Sequence, residues 1–282
     1  MDRSVPTPGE AVQDFYRDMP FNYYADPGQA ADNLADNPIA AYPDLDALLE
    51  EDAVRSVLEL GCGAGWAANA MALHYQKQVT AVDFTAKALH RAREVAARVG
   101  TGDRIAFVES DLFQFDTSQR FDLVASIGVL HHTSDCRAAF DHAARLVAPG
   151  GFLFVGLYHL YGRRPFLQLM RELRDQEGET AAFNRFRSIA KAQEDETHLW
   201  SWFRDQVLHP HETQHTLEEV LGWLDALGFE LQSTNLNGYE EVADRAFLLQ
   251  QEKTFEALSL RRNREQGRYF PGFFTVLAQR AA

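Results

Sequence analysis

Between residues 56 and 158 the chain alternates two hydrophobic rhythms. Short, nearly unbroken apolar blocks, SVLEL, QVTAVDF, RIAFVESDL, FDLVASIGVL and FLFVGLY, read as buried strands, since a strand covered on both faces has no polar side to show. Segments of helical period lie between them. TAKALHRAREVAARVG sets Ala88, Leu89, Ala92, Val95 and Val99 on one face and stops at Gly100. GWAANAMALHY has the same character, and CRAAFDHAARLVAPGG is a helix expected to stop at Pro149, Gly150 and Gly151. Strand and helix alternating at this spacing predict a parallel sheet with helices on both faces.

Elsewhere the rhythm breaks. Residues 1–50 are rich in Pro, Asp, Asn and Ala around an aromatic knot, FYRDMPFNYY, and predict short helices and loops that form a lid. Residues 51–161 are the core, and residues 162–215 a charged, mostly helical cap. From 216 to 282 the core resumes. TLEEVLGWLDALG is a helix with Thr216 as cap, Glu219 three positions on and Gly228 as stop. FELQSTNL and FFTVLAQR are strands, separated by a polar, helix-prone insertion over 237–270.

A hydrophobic share of 46% with 24% charged residues describes an ordinary globular chain. Its net charge of -14 repels phosphate backbones and anionic lipid, which argues against nucleic acid or a membrane as partner. Two cysteines, Cys62 and Cys136, make neither a disulfide framework nor a zinc site and fit a reducing compartment. MDRSVPTPGE has no apolar leader, and GFLFVGLYHL is too short to span a bilayer, so a cytoplasmic location is expected.

The chemistry centres on LELGCGAGW. Gly61, Gly63 and Gly65 alternate at the tip of the first strand, where a doubly wound sheet binds its ligands. Bare backbone there turns sharply and admits a ligand closely, and the next helix offers free N–H groups. The dinucleotide fingerprint fails because Trp66 stands where a small residue is needed, and no Gly-Lys-Ser/Thr phosphate loop follows.

VLELGCGAGW resembles the first motif of class I S-adenosylmethionine-dependent methyltransferases. VTAVDF resembles their second-strand motif with its terminal acid, FVESDLF and FDLVASIGVLHHTSD the third and fourth, and LVAPGGFLFVGLY the fifth. The match runs in order over residues 54–160, and FELQSTNL and FFTVLAQR resemble the family's antiparallel sixth and seventh strands. VLHHT is similar to small-molecule enzymes of the quinone-pathway type. The resemblance implies a Rossmann-like seven-stranded sheet, mostly parallel with an antiparallel last strand, carrying helical N-terminal and inserted cap segments. It implies S-adenosylmethionine as cofactor, S-adenosylhomocysteine as product and a small-molecule acceptor. Asp83 would grip the ribose, Phe84 pack on the adenine, and Asp111 take the adenine amino group beside the Leu112 N–H. Gly61, Cys62, Gly63 and Gly65 would line the methionine tail. Glu59 would order the loop from beneath and reach the ammonium, with Ser126 and Ile127 under the tail and sulfonium.

In-line displacement at a sulfonium draws much of its rate from alignment, and needs a base only where the nucleophile holds its proton tightly. His131 and His132 follow the fourth strand and are candidate bases; Tyr158 and His159, after the fifth, are second candidates. Arg163 and Arg164 could clamp an acidic substrate group. Tyr23 and Tyr24, with Phe15, Tyr16 and Phe21, are candidate lid residues against substrate or sulfonium. His209, His211 and His215 invite a metal reading, but Pro210 and the Thr216 cap make a loop there, and no metal is expected. Residues 162–215 and 237–270 complete the lid or form a contact between two copies. Two other readings stand: a silent cofactor-binding subunit, and a methyltransferase of RNA or protein, against which the acidic surface argues.

Overall fold

The computed structural model describes residues 8–190, 195–242 and 244–282. The first seven residues of the expected N-terminal lid, residues 191–194 of the expected cap and residue 243 of the expected insertion lie outside them. Seven strands form one sheet: β1 (Ser56–Leu60), β2 (Gln78–Asp83), β3 (Ile105–Glu109), β4 (Phe121–Ile127), β5 (Val147–Tyr158), β6 (Phe229–Thr234) and β7 (Phe273–Arg280). Their order is β3-β2-β1-β4-β5-β7-β6, and β7 runs antiparallel to both neighbours. Chain order reverses between β1 and β4, which opens a crevice at the carboxyl ends of those two strands.

Helices α4 (Trp66–His74), α5 (Ala86–Val99) and α6 (Cys136–Arg145) link the parallel strands. The apolar face read in α5 is in the core, and Gly100 ends the helix in a left-handed conformation. α6 stops at Arg145, short of the predicted Pro149. The backbone there finds its partners on the sheet instead. Phe121 N–H donates to the Leu146 carbonyl at 3.0 Å, and Val147 pairs with Phe121 before the register slips to Leu123 and Phe152. α10 (Leu217–Leu227) has the expected Thr216 cap on Glu219 N–H and Gly228 as stop. The Glu219 carboxylate turns away from the cap to meet His215 Nδ1 at 3.0 Å.

Two apolar clusters sandwich the sheet. A third sits outside it, where α7 (Leu160–Glu177), α8 (Glu179–Ala190) and α9 (Glu196–Phe203) pack Phe166, Met170, Phe186 and Phe203 together. Each such buried side chain contributes about 1.5–3 kcal/mol, which gives this cap a core of its own. α9 runs into a π turn over Arg204–Leu208. α12 (Phe255–Leu260) packs on α7, and α11 (Arg245–Glu252) lies against α10. α1 (Pro8–Asp18), α2 (Pro27–Asp32) and α3 (Pro43–Glu50) precede the sheet, with α2 packed on α5 and α3 in one of the two apolar clusters. Arg91 of α5 fastens this segment through the Tyr24 carbonyl and the Tyr23 hydroxyl, and is itself held by Glu94 of the same helix. Among the described residues no helix is long and apolar enough to cross a membrane, and both cysteines are free and buried.

Candidate active site

The loop between β1 and α4 is left-handed at Gly61, Gly63 and Gly65, with φ of 78°, 52° and 81°. The first two glycines serve different needs. A Cβ on Gly61 would lie 2.5 Å from Val129, so this backbone must be bare to pass the loop after β4. A Cβ on Gly63 would meet nothing within 4 Å, because it faces a cavity at the sheet crevice. Gly61 and Cys62 N–H groups both donate to the Val82 carbonyl, fixing the loop against β2.

Asp83 ends β2, buried at the rim of this cavity. Its Oδ2 accepts from Gly63 N–H and its Oδ1 from Thr85 N–H, both at 2.8 Å. Burial raises its pKa, and the two N–H groups and the Thr85 hydroxyl oppose the rise. One carboxylate lone pair remains for a ligand hydroxyl. Phe84, Asp111, Leu112, Cys62 and Ile127 also line the cavity. Asp111 in addition caps its own turn through Phe113 N–H.

Two expected cofactor residues lie beneath rather than on the wall. Ser126 is fully buried and donates to the Leu60 carbonyl, closing β4 onto β1 at the crevice. Glu59 is buried under the loop, held by Ala68 N–H, and its Oε2 has no partner. Burial pushes its pKa up to about 8, with Asp83 adding to the effect.

The residues expected to act on substrate separate sharply. His132 lines the cavity. Its Nδ1 meets only the His211 carbonyl, at 3.0 Å, so Nδ1 carries the proton and Nε2 presents a lone pair. That Nε2 is buried, has no hydrogen-bond partner, and lies 4.0 Å from Asp205 Oδ1. Burial lowers the His132 pKa while Asp205 raises it. His131 is off the cavity: its Nδ1 accepts Tyr158 N–H and its ring lies 4.0 Å from the Tyr158 ring. Burial holds its pKa well below the ordinary value.

His159 is sealed away from the cavity. It caps α7 through Gly162 N–H and donates from Nε2 to Glu252 at 2.9 Å, pinning α11 to the end of β5. Arg163 is likewise consumed. Nε and Nη2 fork onto Glu212 at 3.0 and 2.7 Å. Nη1 reaches Gln206 Oε1 and the Pro271 carbonyl, and Nη2 the Gln206 carbonyl. With all five donors spent, the guanidinium is a structural hub, not a clamp for substrate. Arg164 is exposed on α7 and lines neither cavity. Tyr23 lies under Arg91, 4.5 Å from ring centroid to guanidinium, and is off both cavities.

Tyr158 and Tyr24 instead line a second cavity, which meets the first at Asp205. Asp205 escaped the sequence reading. It is buried on the π turn, where Tyr16 donates to Oδ1 at 2.6 Å and Gln206 to Oδ2 at 2.9 Å, with the Tyr158 hydroxyl 3.3 Å from Oδ2. Its signal was a carboxylate inside the aromatic stretch WSWFRDQVL, where a solvated face has no place. His132, Asp205 and His209 each put one potential ligand atom within 4.8 Å of the others. His209 Nδ1, however, accepts His211 N–H, which leaves the proton on Nε2 and makes that atom a donor rather than a metal ligand. His211 and His215 turn elsewhere, to the Thr133 carbonyl and to Glu219.

Comparison with known proteins places this geometry. A methyltransferase domain model matches residues 57–151. An uncharacterized methyltransferase of Mycobacterium tuberculosis H37Rv is 34% identical over 139 residues, 44% of this chain and 68% of that protein. The 27-O-demethylrifamycin SV methyltransferase of Amycolatopsis mediterranei is 33% identical over 101 residues, 36% of this chain and 37% of that one. Magnesium protoporphyrin IX methyltransferase of Synechocystis PCC 6803, solved with bound SAH, shares the fold at a TM-score of 0.50 and 15% identity, covering 100% of this chain and 90% of that one. The chain spans 46%, 65% and 37% of the length of the first three curated relatives it matches. Sheet order, glycine loop and relatives agree: this chain belongs to the class I methyltransferases, whose cofactor is S-adenosylmethionine.

Proposed function

We propose that the protein transfers a methyl group from S-adenosylmethionine to a small-molecule acceptor. The observation that carries this reading is the cradle at the crevice: a glycine loop with open space at Gly63, beside the buried carboxylate of Asp83 and facing Asp111. Gly61, Cys62 and Gly63 would hold the amino-acid tail, Asp83 the ribose, and Phe84, Asp111 and Leu112 the adenine; Gly65, expected with them, is off the cavity wall, bare because a Cβ there would lie 2.6 Å from Ala92 of α5. Ile127 would lie beneath the sulfonium, with Ser126 supporting it from the sheet. Glu59, with one oxygen unpartnered under the loop, would answer the ammonium. When bound, the cofactor supplies a methyl group on cationic sulfur.

The chain's own work is to align, to exclude water and to take a proton. α1 from the N-terminal segment and the π turn from the cap both contribute to the cavity wall, so the two act as its lid. His132 is the proton acceptor, because its tautomer is fixed with the lone pair inward. The names of relatives that act on small molecules support the acceptor class. Isothermal titration with S-adenosylhomocysteine tests the reading, with saturable binding at one site expected. No heat and no protection against thermal unfolding at millimolar nucleoside would overturn it.

A further inference from the structure

The geometry points to a neutral, largely aromatic hydroxy compound as the acceptor, bound in the second cavity with its hydroxyl at His132. This rests on the reading above and names the substrate class for it. The cavity measures about 490 Å³, within the range that takes drug-sized molecules. It shares Ile127, Gly128 and Asp205 with the cofactor cavity, so an occupant reaches the place where the methyl group would be presented. Its walls include Tyr24, Tyr42, Trp66, Trp202, Tyr269 and Phe273, faces suited to a flat apolar body.

Charge excludes the ionic alternatives. Among the described residues Arg91 is the one Lys or Arg on this wall, and it is spent on the Tyr24 and Ala25 carbonyls, the Tyr23 hydroxyl and Glu94. The described residues of the wall leave no free cation for a carboxylate or phosphate, and the Asp205 carboxylate repels one. An ammonium fares no better. Asp205 already faces the donors of Tyr16, Tyr158 and Gln206, and Arg91 shares the chamber. Polar recognition falls to neutral groups: Tyr269 OH and His198 Nδ1 are buried without partners on residues of this wall.

His132 sets the polar end of the occupant. It lines the cofactor cavity beside Asp205, which both cavities share, and its buried, unpartnered Nε2 offers a lone pair 4.0 Å from Asp205 Oδ1. A hydroxyl reaching across at Asp205 gives its proton to that lone pair and keeps a lone pair of its own to attack. In the transfer the hydroxyl oxygen bonds the methyl carbon, the carbon–sulfur pair stays on sulfur, and the hydroxyl proton passes to His132 Nε2.

Binding to protein saturated with S-adenosylhomocysteine tests this, with four probes followed by calorimetry: 2-naphthol, 2-fluoronaphthalene, 6-hydroxynaphthalene-2-sulfonate and naphthalene-2-methylammonium. 2-Naphthol should bind about tenfold more tightly than either charged probe and about fivefold more tightly than the fluoro compound, which lacks the proton. Ala41→Trp, which fills the rim of the second cavity alone, should weaken naphthol about tenfold and leave S-adenosylhomocysteine affinity unchanged. Equal or tighter binding of a charged probe, or naphthol binding indifferent to Ala41→Trp, overturns the inference. Failure of S-adenosylhomocysteine to bind strikes the proposed function instead, so the two failures are distinguishable.

Discussion

Replacing Glu59 with glutamine probes the charge beneath the glycine loop. Burial pushes this carboxyl from its ordinary 4.5 up to about 8. Between those values the folded chain keeps a proton that the unfolded chain has released. Stability therefore falls as pH rises through the window, and the loss is complete above about pH 8. The group's contribution is fully present only below 4.5. The whole swing amounts to roughly 4–5 kcal/mol, of which about 3 falls between pH 5 and pH 8.

Glutamine has the shape of the protonated acid and cannot ionise. Its carbonyl can still accept from Ala68 N–H, while its amide occupies the place of the unpartnered Oε2. Denaturant unfolding of both proteins, free of cofactor, at pH 5, 6.5 and 8 is the assay. Other titrating groups cancel in the difference between the two curves. Glu59→Gln should be within about 1 kcal/mol of the parent at pH 5 and more stable by about 3 kcal/mol at pH 8. A difference that does not change with pH would refute the reasoning, because Glu59 would then be ionised and solvated in the folded chain.

Cofactor binding bears on the same group. At pH 7 S-adenosylhomocysteine should release close to one proton, seen as a binding heat that varies with the ionisation enthalpy of the buffer, because its ammonium favours ionised Glu59. Asp83→Asn should weaken S-adenosylhomocysteine by about 10- to 100-fold in the same titration, since a charge-assisted hydrogen bond is worth about 1.5–3 kcal/mol. Gly61→Ala drives a methyl group into Val129 and should lower the unfolding free energy by about 1–3 kcal/mol in denaturant melts. Arg163→Met strands the Glu212 carboxylate and should cost about 3–5 kcal/mol of stability in the same assay while leaving S-adenosylhomocysteine affinity within about threefold.

The sheet and the glycine crevice at its edge were legible because they are written in local signals. Apolar blocks mark β1 to β5, and a backbone that must be left-handed at Gly61, Gly63 and Gly65 marks the crevice. The end of α6 was misread because proline and glycine suggest a stop, whereas the sheet recruited Val147 to Gly151 before any stop was needed. The chemistry of the caps was not legible, since it depends on partners far apart in sequence. Arg163 looks like a free cation until Glu212 and Gln206 fold onto it. His159 looks like a rim histidine until Glu252, far along the chain, arrives. Asp205 gains meaning only from Tyr16 and Tyr158.

The two covers of the site are held by bonds of different kinds. The cap rests on its own aromatic core and on the buried Arg163 hub, so displacing it would expose both. α1 buries little: Val12 is its one described residue in the core, and it is tied down by an Asp18–Arg204 pair whose carboxylate is 76% exposed. Such a pair contributes about 0.2–1 kcal/mol, so α1 opens at lower free-energy cost than the cap. Its part-buried polar ties include Arg204 to the Phe15 carbonyl and Tyr16 to Asp205. Opening α1 therefore takes a hydrogen bond from the carboxylate that faces His132, and closing it restores that bond. Access to the cavities and the electrostatic setting of His132 thus change together, through a single tyrosine hydroxyl.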